Sequence, residues 1–395
     1  MTPRTRLRFP HLLSPAAVGP VSLPNRLVMS PMTRFRVGED GVPAPLNARY
    51  YAQRAGAGLL IGEGAYVEPR GRLTPRTAGF CSETQIAAWG GVTDAVREAG
   101  GRMFLQLCHG GRVSHPRLQP GGGDPVAPSA IAFAGQVRVA ESEHAGVRKV
   151  PAPTPRGLET GEIPMIVEAF AEAARRARET GFEGVELHAS SGLLHQQFLT
   201  PAANRRTDGY GGGATARCRF VIETLEAMIA TAGGGRVGVK IGPTFAYNGI
   251  EMALAEVVDT YDVLLRMLDR LDLAYVHLQR PTWSLRLGPE DFDVLAFVRE
   301  RRRGTLIAAG EFDRTSAEAA LAAGRCDLIA FGRRFIANPD LPERIRRDAP
   351  ENGWDEATLY SPLAEGFTDY PTLPDEPASA PGRPAAPPIR PSGRR

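Results

Sequence analysis

Short runs rich in Val, Ile and Leu alternate with longer amphipathic stretches along most of the chain, and this alternation limits the available folds most strongly. Candidate strands are read at Arg26–Ser30, Gly58–Gly62, Arg102–Leu107, Gly184–His188, Arg236–Ile241, Leu273–Leu278, Thr305–Ala309 and Asp327–Phe331. Apolar residues at helical spacing mark Ser82–Ala99, Glu162–Thr180, Ala214–Ala230, Ala253–Leu271, Pro289–Arg302, Arg314–Ala323 and Pro339–Arg347. Strand–helix alternation repeated about eight times predicts an α/β fold, a closed (β/α)8 TIM barrel. The rival is an open doubly wound sheet. The count of strands and the polar residues that follow most of them favour the barrel. No GxGxxG opens a helix after a first strand, so a dinucleotide fingerprint is absent.

Two segments lie outside the repeat. Residues 109–161 form a Pro/Gly-rich excursion after the third strand, too long for a simple connection and expected to cap the barrel mouth. Residues 371–395 hold eight prolines and four arginines with few large apolar groups, so a disordered tail is expected after a barrel domain spanning 1–370.

The net charge is only +3, from 47 Lys+Arg against 44 Asp+Glu spread through the chain, which argues against a nucleic-acid partner. The cysteines Cys81, Cys108, Cys218 and Cys326 form no CxxC, and neither a metal site nor a disulfide framework is expected. Met1–Leu13 lacks the apolar run of a secretory signal, and no stretch nears about 18 continuous apolar residues. A reduced, cytoplasmic protein without a membrane partner is expected.

In barrel enzymes the chemistry gathers at the C-terminal ends of the strands. Read in order, those ends carry Pro31-Met32-Thr33, Glu63-Gly64, Gln106 with His109, His188, Lys240, His277, Gly310-Glu311 and Gly332-Arg333. A polar residue ending one strand is ordinarily a turn or cap residue; so many on one rim point to a site. The last two strands both end in glycine followed by polar residues. Glycine lets backbone N–H groups approach an anion closely, and Arg333 adds a fork of donors, so a phosphate site is expected there.

At these residues the sequence resembles the old yellow enzyme family of FMN-dependent ene-reductases over most of residues 10–370. The matching stretches are Asn25 to Arg34, Gln106-Leu107 with His109 to Arg112, Gly181 to His188, Gln197 to Leu199 with Asn204 to Gly212, and Phe331 to Leu341. The resemblance implies noncovalent FMN on the barrel rim, reduced by NADPH or NADH. Pro31, Met32, Thr33, Gly64, Gln106 and His188 would line its ring, with Thr33 at the carbonyl edge and Gln106 at the pyrimidine edge. Lys240 stands where the family usually has arginine and would supply the cation beside the pyrimidine side. Gly310, Glu311, Gly332 and Arg333 would hold the phosphate end.

The departures bear on mechanism. The family has a histidine, then a second amide or imidazole donor three residues later, then a tyrosine acid two residues further. Here the run is His188-Ala189-Ser190-Ser191-Gly192-Leu193, so Ser191 takes the second donor position and Leu193 that of the acid. Cys108 replaces an aromatic, and Tyr360 matches a tyrosine lining the substrate pocket, to which Thr33, Thr74 and Tyr247 are also assigned. General acid catalysis is typically worth about 10²–10⁴-fold, so losing the acid slows turnover without abolishing it. Water, Tyr360 or Tyr247 would donate instead. Three readings stay open: reduction of an activated C=C bond in a specialised unsaturated carbonyl compound, isomerisation or desaturation of such a compound, and a flavin-binding scaffold without turnover. His109, His115 and His195 are read as loop or packing residues, and His277 is left outside the site. A monomer or homodimer is expected.

Overall fold

The computed structural model describes residues 7–140, 147–281, 286–289 and 291–374. The first strands are β1 (Ala16–Val18), β2 (Val21–Leu23), β3 (Leu27–Met29), β4 (Leu59–Tyr66) and β5 (Met103–Cys108), with helices α1 (Pro45–Ala52) and α2 (Glu83–Glu98) between them. The excursion carries β6 (Val126–Ala127), β7 (Gln136–Ala140), β8 (Val147–Pro151) and β9 (Arg156–Gly157). Next come α3 (Ile163–Glu179), β10 (Gly184–Ala189), α4 (Leu194–Leu199), α5 (Ala214–Ala232), β11 (Val237–Ile241) and α6 (Leu254–Leu268). The chain then runs through β12 (Tyr275–Gln279), α7 (Val294–Arg301), β13 (Leu306–Ala309), α8 (Arg314–Ala322), β14 (Leu328–Phe331), α9 (Arg333–Ala337) and α10 (Leu341–Arg346).

Strands β3, β4, β5, β10, β11, β12, β13 and β14 pair in parallel in that order, and β14 closes onto β3. The closed barrel is therefore the fold, and each strand predicted from the sequence overlaps one barrel strand. Side chains alternate along these strands. Leu105, Leu107, Val185, Leu187, Val239, Val276 and Leu278 join the large apolar cluster shared with the outer helices. The intervening residues line the barrel. Val28, Leu59, Ile61, Phe104, Tyr275, Ile307 and Leu328 pack there with Val18, Val21 and Leu23 of the β1–β2 hairpin, which plugs the N-terminal end. Cutting a buried Leu of such a layer to Ala costs about 2–5 kcal/mol.

Three local differences from the sequence reading have physical causes. Helix α7 starts at Val294 rather than Pro289, because the Asp293 side chain accepts from the Leu295 and Ala296 N–H groups and caps it there. Helix α4 escapes the periodicity test because it is only six residues long and its polar His195, Gln196 and Gln197 are buried along with its apolar residues. Strand β4 runs on past Gly62 to Tyr66, with a register shift against β5 between Gly62 and Ala65. Gly64 thus sits inside a strand, at a bulge, rather than after its end.

The excursion lies against the barrel mouth. Val113, Phe133 and Val137 form a separate apolar cluster with Cys108 of β5 and Leu193 before α4. The buried Arg112 guanidinium ties this layer down by donating to the carbonyls of Ile131 (3.2 Å) and Gly249 (2.8 Å). The tail expectation falls on residues that, beyond 374, lie outside the described ones. No helix among the described residues is long and apolar enough to cross a membrane.

Candidate active site

The inward faces change character along the barrel axis. Two residues beyond Phe104 comes Gln106; two beyond Gly184 comes Glu186, then His188; two beyond Gly238 comes Lys240; two beyond Tyr275 comes His277. Period two therefore stacks a polar layer on the apolar one. The strands bring its members together in register, Gln106 opposite Glu186 and Lys240 flanked by His188 and His277.

Above this layer opens a cavity of about 730 Å³. Every residue assigned to the site from the sequence lines it. Pro31, Met32 and Thr33 follow β3, Gly64 and Gln106 come from β4 and β5, and His188 and Lys240 from β10 and β11. Gly310 and Glu311 follow β13, Gly332 and Arg333 follow β14, and the remaining wall includes Thr74, Cys108, Ser191, Leu193, Tyr247 and Tyr360. The backbone is bent to serve this cavity: of the six non-glycine residues at positive φ among the described ones, Phe35, Ser191, Asn248 and Glu311 line it.

The floor is buried and electrically organised. Lys240 is 5% exposed; burial lowers the ammonium pKa, against the pull of Glu186. His188 is half-buried, its Nδ1 buried without a hydrogen-bond partner. Burial, helped by the Lys240 charge, holds its imidazole well below the usual histidine range, so it is neutral near pH 7 and offers one donor and one acceptor. Gln106 donates through Nε2 to Glu186 Oε1 at 2.7 Å, and Glu186 Oε2 lies 2.8 Å from His277 Nδ1. His277, left out on sequence grounds, is thus part of the layer that supports the floor.

The phosphate-type end is shaped by glycine. At Gly310, with φ +109°, a Cβ would meet the Arg280 carbonyl oxygen at 3.0 Å. Arg333 lies over the Trp354 ring, 5.0 Å from its centroid. At Gly64 a Cβ would come within 3.2 Å of Gln106 Oε1 and 3.3 Å of Cys108 Sγ, so a side chain here would fill the cavity beside the amide. A buried cation, a carboxamide, an unpartnered imidazole nitrogen and glycine-opened backbone fit the polar edge and phosphate of a flavin nucleotide.

The roof is of another kind. Burial pushes the Cys108 thiol pKa up, so it stays neutral, a small filler in the apolar wall with Leu193. Tyr360 is 59% exposed and packs edge-on against Phe35 at 5.9 Å, with the Arg138 guanidinium 5.8 Å from its ring centroid. Gln136, Val137 and Arg138 of β7 also line the cavity; the sequence reading missed them because a short hairpin strand in a Pro/Gly-rich excursion carries no strand-end signal. It also missed the clamp that delivers Tyr360. Arg34 and Arg36, both buried, donate to the carbonyls of Thr358, Leu359, Leu363, Glu365 and Gly366 at 2.8–3.2 Å. Phe367 stacks on Tyr50 at 4.0 Å beneath them.

The histidines read as structural are so placed. Both ring nitrogens of His109 are engaged, Nδ1 accepting from the Gly111 N–H and Nε2 facing Glu68 Oε1 at 3.0 Å. His195 stacks on Phe220 at 4.4 Å, and His115 Nδ1 accepts from the Arg117 N–H.

A barrel with a flavin-type cradle at the C-terminal ends of its strands defines the class, a flavin-dependent barrel oxidoreductase. Residues 11–352 match the NADH:flavin oxidoreductase / NADH oxidase family, and the chain belongs to that family, in its old yellow enzyme branch of FMN-dependent enzymes that draw on a nicotinamide reductant. It is 39% identical over 367 residues to putative 12-oxophytodienoate reductase 2 of Oryza sativa subsp. japonica, covering 92% of this chain and 94% of that one. Among solved structures it resembles morphinone reductase (TM-score 0.87, 43% identity, 93% of this chain and 98% of that one). The old yellow enzyme homologue of Zymomonas mobilis is similarly close in shape (TM-score 0.87, 34% identity, 92% and 100%).

Proposed function

We propose that the protein reduces the activated C=C bond of a bulky α,β-unsaturated carbonyl compound at the expense of NADPH or NADH. The observation that carries this reading is the pairing of His188 and Lys240 side by side on β10 and β11 in one cavity wall. Bound FMN supplies the two-electron transfer between the nicotinamide and the alkene. Lys240 would hold positive charge at the pyrimidine side, where the cofactor gains negative charge on reduction. Gln106 and Thr33 would meet the polar ring edge, while Gly310, Glu311, Gly332 and Arg333 would hold the phosphate. His188, with Ser191 as a shorter second donor, would hydrogen-bond the substrate carbonyl oxygen and stabilise charge developing there.

The pocket supports a large, largely apolar substrate. Leu193 stands where relatives would carry the tyrosine acid, and with Cys108, Val113 and Val137 it makes an apolar wall instead of a proton donor. Two relatives are named for oxo compounds, 12-oxophytodienoate and morphinone, which supports a ketone-bearing substrate. Tyr360 or Tyr247, or solvent, would then deliver the proton at the α-carbon. The apolar Leu193 wall also favours a second reading, in which protonation fails and the net reaction is isomerisation or desaturation.

The test is anaerobic mixing of the holoenzyme with NADPH or NADH, followed by a cyclic enone such as 2-cyclohexenone and product analysis with 4-deuterated nicotinamide. Bleaching, reoxidation by the enone and one deuterium at the β-carbon of a saturated ketone are expected. Double-bond migration without net consumption of nicotinamide would replace reduction with isomerisation. Failure of both nicotinamides to bleach the flavin would remove the reductase reading.

A further inference from the structure

One fully buried charged group of the polar layer has no role in the scheme above. Glu186 lies on β10 two residues before His188, on the same inward face, but is not itself among the residues that line the cavity. An isolated carboxylate at such a depth would be too costly to keep ionised. Here burial tends to raise the Glu186 pKa, but His277, Lys240 and the Gln106 donor overcome it and leave it below the ordinary carboxylate range.

An ionised carboxylate only accepts hydrogen bonds. The Gln106 group 2.7 Å from Glu186 Oε1 must therefore be the NH2, whichever way the amide would otherwise turn. A flipped amide would set two acceptor oxygens against each other in a dry site. His277 is fixed by the same logic, its proton on Nδ1. With its NH2 held, Gln106 turns its carbonyl oxygen the other way, beside Gly64, the position where a Cβ would come within 3.2 Å of Oε1. Gln106 and Gly64 both line the cavity. The pyrimidine edge of a flavin carries a single N–H, at N3, between two carbonyls. An amide presenting its oxygen pairs with that N–H; one presenting its NH2 does not.

We propose that Glu186 is a positioning residue of the FMN site, fixing the Gln106 amide so that its carbonyl oxygen accepts from the flavin N3–H. The inference rests on the reading of the cavity as the FMN site. It is specific to Gln106 rather than to charge in general, because the isoalloxazine of oxidised FMN is neutral and feels Lys240 and Glu186 little.

The test measures oxidised FMN affinity by fluorescence quenching on the full chain, in the parent and in E186M, Q106M and E186M/Q106M. We expect E186M to weaken binding about tenfold in the parent background and less than threefold in the Q106M background. Because E186M removes a buried charge and its folding is at risk, E186Q serves as the second variant. Its near-isosteric amide can turn either way, so Gln106 is no longer held to one orientation. With ¹⁵N3-labelled FMN, the N3–H proton is then expected to move upfield of its parent position. An equal loss in both backgrounds, or an unmoved N3–H in E186Q, overturns the role of Glu186. A parent chain that takes up no FMN would overturn the cavity reading and the inference with it.

Discussion

The floor and the roof of the cavity are built by different physics. Gln106, Lys240, Glu186 and His277 are at most 5% exposed and stand on paired strands whose register leaves no freedom in where each side chain points. Tyr360 and Tyr247 are 59% and 37% exposed and come from loops. The floor holds charge in a dry place, where it acts strongly and must be balanced; the roof offers aromatic and apolar surface that tolerates exchange. A cofactor common to a family calls for the first kind of wall, and a substrate particular to one member calls for the second.

The comparison can be broken most directly at Lys240. K240M removes a buried cation that acts through space to help keep Glu186 ionised. Reduced FMN would gain its negative charge beside this residue, so the potential of the bound flavin is expected to fall by about 60 mV in a dye-equilibrated titration, and a shift under about 10 mV would contradict a charge-organised floor. At the seam between the walls, burial pushes the Glu63 carboxyl up to about 7. Its folded-state value lies above the unfolded one near 4.5, so the stability linked to its protonation is complete below that value and lost as pH rises through about 7. E63Q cannot ionise, and should exceed the parent by on the order of 3 kcal/mol above about pH 8 in urea melts, the difference fading below about pH 4.

On the roof, L193Y would place a phenol in the cavity that His188 also lines. If missing acid limits turnover, kcat for cyclic enones should rise at least tenfold, at a stability cost of about 1–3 kcal/mol for overfilling the Cys108–Val113–Val137 wall. An unchanged kcat would show that protonation is not limiting. H188A should weaken the charge-transfer complex with a phenol about tenfold, or roughly 1.4 kcal/mol; identical titrations would remove His188 from carbonyl recognition. The smallest effect is expected at Y360F, with FMN affinity and flavin potential unchanged and enone KM altered within about threefold. A shift of the flavin potential in Y360F would erase the division between the walls.

The two walls were also unequally readable. Period two in Phe104-Leu105-Gln106-Leu107-Cys108 and Gly184-Val185-Glu186-Leu187-His188 assigns each side chain to the barrel interior or the helix side. By that rule Glu186 and His277 belong with Gln106, His188 and Lys240, although Glu186 lies within its strand and carries no strand-end signal. Arg138 had no comparable signal. It reaches the cavity because β7 folds over the mouth, a placement that no local pattern encodes.

By itself the sequence determined the barrel, its eight strands and the polar groups at their ends, because backbone alternation and helical periodicity are local and the closed parallel sheet follows from their repetition. Only the tertiary structure decided which loops cover the mouth, how Arg34 and Arg36 hold the segment bearing Tyr360, and which way the Gln106 amide faces. Those outcomes depend on contacts between residues up to about three hundred positions apart, such as Arg34 with the Leu359 carbonyl, and on the balance of charges buried together.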